Sequence, residues 1–262
     1  MASAPVTITQ IRNATLRIDY AGTRFLVDPM LAERHSFPGF PGTLNSEESN
    51  PLVHLPLPIA EIVDVDAVIL THLHPDHWDQ PARDALPGNI PVFTQNEADA
   101  QAIRDQGFTD VRVLGADTTF GDIRLTRTSG RHGTEAHYAV LADRLGEVCG
   151  VVFSHPGEKT LYLAGDTIWN ADVAEALAAH SPDVAVLNAG YAMVQGMEGG
   201  IIMGTGDVLN VHEAAPGALL IASHMEAINH CALTRANLRK FAADKGFGHM
   251  LLTPGDGETV VL

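Results

Sequence analysis

The sequence predicts an α/β fold built from sheets with helices packed on them. Three observations lead to this class. The chain has 262 residues, of which 45% are hydrophobic, and this is ample for the core of one domain. Residues 6–28 show the alternation and the short apolar runs typical of strands. From residue 161 onward, strand-like apolar runs alternate with helix-like segments, an order typical of α/β architectures.

The N-terminal part predicts an antiparallel meander followed by a long insertion. Turn signals at Arg12-Asn13 and Ala21-Gly22 separate strand-like runs within residues 6–28. Residues 31–58 then form a Pro-rich insertion with five prolines and little periodicity. A loop of that length is usually functional or disordered, so we expect this one to form the rim of a site.

The remaining elements follow from periodicity and turn signals. A helix is predicted over 96–106, ending before Gly107, and short strands are predicted over 109–141. Later elements are predicted as helix 171–180, strand 183–188, helix 207–215, strand 218–223, helix 234–245 and strand 249–253. Thr205 and Thr234 are candidate N-caps. Because no linker divides the chain, we expect a single domain over residues 1–262 that includes the insertion.

The most informative segment is THLHPDHW at residues 71–78, directly after the apolar run 67–70. Three histidines and one aspartate lie within six residues at the predicted end of a strand, a favoured place for chemistry on a rigid scaffold. Imidazole and carboxylate together suit zinc, and also manganese or iron. A solvated loop with incidental histidines would rarely hold four such groups, so the segment predicts a metal site.

This pattern, H-x-H-x-D-H after an apolar strand, resembles the signature of the metallo-β-lactamase-fold hydrolases. The further ligands of that family are matched in order by His132 in SGRHG, Asp166 in LYLAGDT and His224 in LLIASHM. The resemblance implies a four-layer αββα sandwich, with two mixed sheets flanked by helices. Softer likenesses in FLVDP at 25–29, in the GDT turn and in MGTGD at 203–207 place the chain nearest the ascorbate-6-phosphate lactonase-like branch.

Two divalent ions per chain follow from this ligand set, with zinc as the first choice and Mn²⁺ or Fe²⁺ as alternatives. The ligands expected for one ion are His72, His74 and His132, those for the other are Asp76, His77 and His224, and Asp166 bridges both. Cys149 and Cys231 fall on no ligand motif. Three nitrogen ligands leave an open position for water, which is typical of a catalytic metal.

Other side chains near these motifs are candidates for supporting roles. Asp28 ends a strand and could hold the second nitrogen of a ligating imidazole, or it could simply form a turn before Pro29. Asp76 is the candidate catalytic residue, which holds or relays the proton to the leaving group. The candidates for substrate contact are Trp78, Trp169, Glu226, Asn229 and His230. Core packing is an equally good interpretation of both tryptophans, and Glu226 could be solvated.

The function expected from these residues is that of a binuclear metal-dependent hydrolase, in which metal-bound hydroxide attacks a small ester-like substrate, a lactone or cyclic ester. A small-molecule phosphodiesterase or nuclease is the main alternative, because the same centre can activate water towards phosphorus. A non-catalytic metal-binding or ligand-sensing protein is a further alternative, and a redox di-iron role is the least favoured.

Charge and composition bear on partners and location. The chain has 32 acidic and 16 basic residues, a net charge of −16, without a basic cluster, and this disfavours nucleic acid as a partner. The apolar runs are too short to cross a membrane, and the N-terminal residues do not resemble a signal peptide. Two cysteines are too few for a disulfide framework. We therefore expect a cytoplasmic protein with a small-molecule substrate, and leave a homo-oligomer open.

Overall fold

The computed structural model describes residues 5–262 and contains two seven-stranded sheets. The strands are β1 (Thr7–Arg12), β2 (Thr15–Tyr20), β3 (Thr23–Val27), β4 (Ala67–Ile69), β5 (Val92–Thr94), β6 (Val111–Val113), β7 (Thr118–Phe120), β8 (Ile123–Ser129), β9 (Cys149–Ser154), β10 (Leu161–Leu163), β11 (Val184–Asn188), β12 (Leu219–Ser223), β13 (Leu251–Leu252) and β14 (Thr259–Val261). The helices are α1 (Ile59–Ile62), α2 (Gln80–Ala85), α3 (Glu97–Asp105), α4 (Glu135–Leu145), α5 (Ala171–His180), α6 (Thr205–Ala214) and α7 (Arg235–Asp244).

Both sheets are mixed. The first has the order β14-β1-β2-β3-β4-β5-β6, with antiparallel pairs from β14 to β3 and parallel pairs from β3 to β6. The second has the order β13-β12-β11-β10-β9-β8-β7, with parallel pairs from β13 to β10 and antiparallel pairs from β10 to β7. The N-terminal meander and the later alternation of strands and helices are therefore as predicted.

The sheets pack face to face around the largest apolar cluster. Phe25 of the first sheet meets Phe153 of the second with ring centroids 5.4 Å apart, and both rings are fully buried. Burying one such side chain stabilises the fold by roughly 1.5–3 kcal/mol. Separate apolar clusters lie on the outer faces, where α2 and α3 cover the first sheet and α5 to α7 cover the second. This confirms the predicted sandwich of two mixed sheets flanked by helices.

Several boundaries agree with the sequence prediction because local caps define them. The Asn96 side chain accepts a hydrogen bond from the Asp99 amide and begins α3, and Thr234 does the same for Asn237 at the start of α7. Thr205 is not an N-cap, however. Gly204 precedes α6, and its amide donates to Asp207 Oδ2 at 2.8 Å.

The prediction of strands throughout 109–141 is wrong in its last part, where α4 begins at Glu135. This helix starts from a turn in which His137 Nδ1 accepts from the Thr134 amide at 3.1 Å, and it is interrupted at Leu141. The elements α1, α2, β5, β9 and β14 were not predicted. Among residues 5–262, no helix is both long and apolar enough to cross a bilayer. The first four residues of the N-terminal segment assessed above lie outside the described part of the chain.

Candidate metal centre

The ends of four strands bring seven imidazole and carboxylate side chains into one cluster, six of them buried. The loop after β4 supplies four of these groups, and the segments after β8, β10 and β12 supply one each. They are His72, His74, Asp76, His77, His132, Asp166 and His224. Strands β8, β10 and β12 run in the same direction within the second sheet, so their carboxyl ends lie at one edge of it. There the motif loop from the first sheet meets three single residues from the second.

Asp166 occupies the middle of this cluster. Its Oδ2 lies 3.2 Å from His77 Nε2, 3.5 Å from His224 Nε2, 3.8 Å from His132 Nε2 and 4.0 Å from His72 Nε2. One carboxylate oxygen thus faces imidazoles of both expected ligand sets, which is the position that a bridging ligand requires.

The other short distances bring together each of the two expected ligand sets, and a third group, His72, His77 and Asp166, connects them. His72 Nε2 lies 2.9 Å from His74 Nδ1, and His224 Nε2 lies 3.3 Å from Asp76 Oδ2. Three groups of ligand atoms lie within 4.8 Å of one another, namely His72, His74 and His132; His72, His77 and Asp166; and Asp76, His77 and His224. The buried His132 Nε2 has no hydrogen-bond partner among the described residues. A buried imidazole nitrogen without a partner fits a metal ligand, so these residues could hold a divalent metal.

The pKa values of the clustered groups are shifted in different directions. Burial lowers the pKa of His132 to about 4, so this imidazole is neutral, as a metal ligand must be. Burial also acts to lower the pKa of His77, but the carboxylates of Asp166, Asp28 and Asp76 outweigh it and raise that pKa to about 10. Burial acts to raise the pKa of Asp166, yet the His77 and His224 imidazoles hold it well below its usual value. The centre therefore presents ionised carboxylates beside a neutral His132 and a protonated His77, and an ion that binds His77 must displace its proton.

Asp28 supports the motif loop from behind. Its Oδ1 accepts from the Thr71 amide at 2.8 Å, and its Oδ2 accepts from Thr71 Oγ1 at 2.7 Å and lies 2.9 Å from His77 Nδ1. A carboxylate on the second nitrogen fixes the orientation and tautomer of an imidazole, and this is the contact that the sequence prediction for Asp28 requires. Asp28 and His224 both have left-handed backbones, with φ of 45° and 57°, where the chain turns sharply after a strand.

Two asparagines at this centre were missed by the sequence prediction. Asn188 Nδ2 donates to Asp166 Oδ1 at 2.7 Å, and Asn13 Nδ2 donates to the Asp76 carbonyl at 3.1 Å and to its Oδ2 at 3.4 Å. Asn188 ends β11, beside the strands that carry Asp166 and His224. Its place at the end of a predicted strand was a signal that could have identified it, whereas Asn13 offered only a turn.

A cavity of about 260 Å³ opens directly on the cluster. Its lining comes from the metal-binding loop, the Pro-rich insertion, α4, the 194–201 segment and the loop after His224. The lining residues are Phe40, Thr43, His74, Pro75, Asp76, Leu141, Arg144, Leu145, Val194, Ile201 and His230. Most of this wall is apolar, and the predicted ligands His74 and Asp76 supply part of the polar surface. The insertion therefore lies beside the site, as the sequence predicted for it.

Of the five predicted substrate contacts, only His230 lines this cavity. Trp78 is 4% exposed, packs edge-on against Phe108 and donates from Nε1 to Gln106 Oε1 at 2.8 Å. Trp169 packs against the apolar cluster between the second sheet and its helices. Trp78 is therefore a core residue, Trp169 is a partly buried one, and neither lines the cavity.

Glu226 and Asn229 are also structural in their contacts. Glu226 Oε2 lies 2.7 Å from Arg235 Nη1, in an ion pair that holds the loop to the start of α7. Asn229 is 1% exposed, and its side chain is fully engaged with the insertion. Its Oδ1 accepts from Asn50 Nδ2 at 2.8 Å, and its Nδ2 donates to Thr43 Oγ1 at 2.9 Å. It thus fixes a wall of the cavity without lining it.

Comparisons with known proteins agree with this geometry. Residues 23–225 match the family model described as the beta-lactamase superfamily domain. A UPF0173 protein of Bacillus subtilis, YddR, is 48% identical over 253 residues, which cover 96% of this chain and 98% of that protein. A solved isothiocyanate hydrolase from Delia radicum gut bacteria is 47% identical with a TM-score of 0.94, and the match covers 98% of this chain and 99% of that one. A possible metal-dependent hydrolase from Veillonella parvula is 43% identical with a TM-score of 0.97, and the match covers 99% of this chain and 100% of that one.

Proposed function

We propose a substrate class for this chain, which belongs to the beta-lactamase superfamily and, within it, to the UPF0173 metal-dependent hydrolases. The substrate is a small, neutral electrophile that carries an apolar group. One observation carries the proposal: the cavity of about 260 Å³ has His74 and Asp76 on one side and mainly apolar walls elsewhere. The resemblance to metallo-β-lactamase-fold hydrolases is confirmed, while the likeness to the ascorbate-6-phosphate lactonase-like branch stays a prediction.

An isothiocyanate is the first candidate substrate. Support comes from the isothiocyanate hydrolase that is 47% identical over 98% of this chain. An isothiocyanate is uncharged and slender, and its central carbon is electrophilic, so an apolar cavity that ends at a metal centre suits it. Water adds through its oxygen to that carbon, and the nitrogen takes up a proton. The acid proton of the resulting thiocarbamic acid then passes to the nitrogen as the C–N bond breaks, which releases the amine and carbonyl sulfide.

The chain's own residues would position the reactants. When bound at the clustered ligands, two divalent ions would supply Lewis acidity and lower the pKa of a water molecule. Asp76 borders the cavity, and its Oδ2 is oriented by Asn13 and His224. This carboxylate is placed to hold the proton of the attacking water and to return it to the leaving nitrogen. The apolar lining orients the substituent and excludes bulk water.

A lactone or cyclic ester is the second candidate, and the same neutral lining favours it. Its carbonyl carbon is also electrophilic, and the proton held by Asp76 would pass to the leaving oxygen. Phosphodiesters are disfavoured by the charge around the cavity. Arg144 is the one Lys or Arg side chain among the lining residues, and its Nη2 is engaged with the Pro41 carbonyl. Arg131, which stood out in the sequence beside His132, pairs with Glu135 and lies outside the lining.

One substrate panel tests the class. Protein loaded with Zn²⁺, Mn²⁺ or Fe²⁺ is offered allyl and phenethyl isothiocyanate, γ-lactones, aryl esters and a bis-aryl phosphodiester at equal concentrations. Amine, acid or phenol release is measured. We expect isothiocyanates to be turned over fastest, lactones next and the phosphodiester slowest. Faster turnover of the phosphodiester under the same metal would replace this proposal with the phosphodiesterase alternative.

The role of Asp76 makes a separate prediction. Asp76→Asn keeps the size of the side chain but removes the proton-accepting charge, so kcat should fall by roughly 10²–10⁴-fold. Metal content of the variant, measured alongside, shows whether the loss arises from chemistry or from a missing ion. Asp143→Asn, which changes an exposed acid of α4 outside this cavity, is the matched control and should keep normal turnover. Near-native turnover of Asp76→Asn with full metal content would remove the proton role.

A further inference from the structure

We propose that Arg144 is a specificity-determining positioning residue, which clasps together two walls of the cavity and so sets the size of the apolar group that the cavity admits. This inference rests on the proposed function. The two walls are the lip, defined as residues 37–44 of the insertion, and helix α4. Phe40 and Thr43 line the cavity from the lip, and Leu141 and Leu145 line it from α4.

The contact between these walls is made by the Arg144 guanidinium. Its Nη2 donates to the Pro41 carbonyl at 2.9 Å. A Cβ added to Gly42 would lie 3.7 Å from Arg144 Nη1, so the guanidinium lies against the turn at Pro41-Gly42. The side chain of one α4 residue therefore reaches across the mouth of the cavity and holds the main chain of the lip.

The main chain of Arg144 has a different partner. Its carbonyl oxygen lies 2.9 Å from His74 Nε2, the nitrogen opposite the one that faces His72. The residue thus touches the metal-binding loop with its backbone and the lip with its side chain. Because these contacts use different atoms, a side-chain substitution can release the lip while leaving the support of His74 in place.

Each wall also has its own anchor in the body of the protein. On the lip, the Phe40 amide donates to Asn229 Oδ1 at 3.2 Å, and Thr43 accepts from Asn229 Nδ2. On α4, Leu145 is part of an apolar cluster with Ile201 that Leu141 packs against. Loss of the Arg144 clasp should therefore leave both segments folded but let them separate at the cavity mouth.

A wider mouth has a predictable effect on selectivity. A small substituent fills less of the widened cavity and buries less of its surface, so its affinity falls. A bulky substituent that the native mouth excludes gains access. The reacting carbon still sits at the same ligands, so kcat should change less than KM. This split separates a positioning residue from one that acts on the reacting atoms.

The experiment compares Arg144→Ala and Arg144→Lys with Arg131→Ala. Arg131 is the matched control, since it precedes the same helix and pairs with Glu135 away from the cavity. KM and kcat are measured for isothiocyanates from allyl to naphthylmethyl, and zinc content is determined. For Arg144→Ala we expect native zinc content, a KM for allyl isothiocyanate raised about tenfold, kcat within about threefold, and a relative gain for the bulkiest substrate. Arg144→Lys, which keeps a donor, should retain part of the native dependence of KM on substituent size. Arg131→Ala should retain all of it.

Hydrogen exchange supplies a readout that does not depend on turnover. Amides of residues 37–44 and 135–145 should exchange faster in Arg144→Ala than in the native protein or in Arg131→Ala. The proposed clasp would be overturned if Arg144→Ala left amide exchange unchanged in both segments. It would also be overturned if KM depended on substituent size in Arg144→Ala just as it does in Arg131→Ala. Failure of the native protein on every neutral electrophile would instead overturn the proposed function, and the exchange data would still decide the clasp.

Discussion

At the residue scale, the two oxygens of Asp166 have different partners, and a hydrogen bond from Asn188 sets the orientation of this carboxylate. Asn188 Nδ2 donates to Oδ1, so Oδ2 is turned towards the imidazoles of both ligand sets. Asn188 is itself 2% exposed, and its Oδ1 has no partner among the described residues. The side chain is thus held in the core with one strong contact, which is the contact to the acid that would bridge the ions.

Asn188→Ala should therefore weaken metal binding without unfolding the protein. Loss of such an outer hydrogen bond typically costs about 10–100-fold in metal affinity. Competition with a chromophoric chelator measures that affinity, and the exposed Asn89→Ala is the control that should leave it unchanged. Equal affinity in both variants would mean that the geometry of Asp166 does not depend on this contact.

Cys149 provides a second test at this scale. The thiol is fully buried at the start of β9, and burial raises its pKa from 9.0 to about 12. At pH 8 the fraction present as thiolate is then about a thousandfold smaller than for a free thiol. Iodoacetamide should leave Cys149 unmodified in the native protein and alkylate it after denaturation, as peptide mass mapping would show. Rapid native modification would contradict the tight packing of this strand.

The sequence allowed prediction of the ligand cluster because its information is local. A short motif and three single residues each follow an apolar strand, and strand ends converge in this fold class. The packing partners of Trp78 and Trp169 were not predictable in the same way. A residue next to a ligand in sequence can point to the opposite side of the loop, and the packing partners that decide this, such as Phe108 for Trp78, lie far along the chain.

At the element scale, strands and helices with strong periodicity were predicted well, and α4 was not. Strands β10 to β12 are apolar runs buried on both faces, and α5 and α7 begin at polar caps, so local sequence defines them. Helix α4 packs against the 192–202 segment, is interrupted at Leu141 and exposes Val140 by 72%. It packs against a loop instead of a sheet, and together with that loop it forms a wall of the cavity.

The close approach of two segments at Gly190 gives the prediction for this scale. A Cβ at Gly190 would collide with the His224 carbonyl oxygen and would lie 2.6 Å from Cys231 Sγ. Gly190→Ala should therefore push the His224 segment away. We expect a loss of about 2–4 kcal/mol in the free energy of unfolding, together with weaker metal binding.

Gly206→Ala is the matched control for that variant. Gly206 lies in the first turn of α6, and nothing is within 4 Å of a Cβ there. Alanine is a better helix former than glycine, so the control should be neutral or more stable by up to about 1 kcal/mol. Thermal unfolding of both variants measures the difference. Equal melting temperatures would show that the backbone at Gly190 can relax without cost.

At the scale of the whole molecule, the candidate metal centre joins the two sheets. The motif loop with His72, His74, Asp76 and His77 follows β4 of the first sheet, while His132, Asp166 and His224 follow strands of the second. Ions bound here would cross-link the open edge of the sandwich. The apolar core between the sheets is a separate source of stability, because it contains Phe25, Phe153 and many aliphatic side chains away from the ligands.

Metal removal should therefore destabilise the protein without abolishing the fold. Elemental analysis of protein purified without chelator is expected to give two divalent ions per chain. An ion that binds only the native state stabilises it by about 2.7 kcal/mol when its free concentration is 100 times its Kd, so chelation should lower Tm by several degrees or more. Hydrogen exchange should rise mainly at the ends of β4, β10 and β12 while the inter-sheet core stays protected. Added Zn²⁺ should restore both the Tm and the native exchange rates.

His132→Ala, which removes a ligand of one expected set, should retain one ion and show a smaller drop in Tm on chelation. A Tm indifferent to chelation, in protein that holds two ions, would show that the ions do not join the sheets.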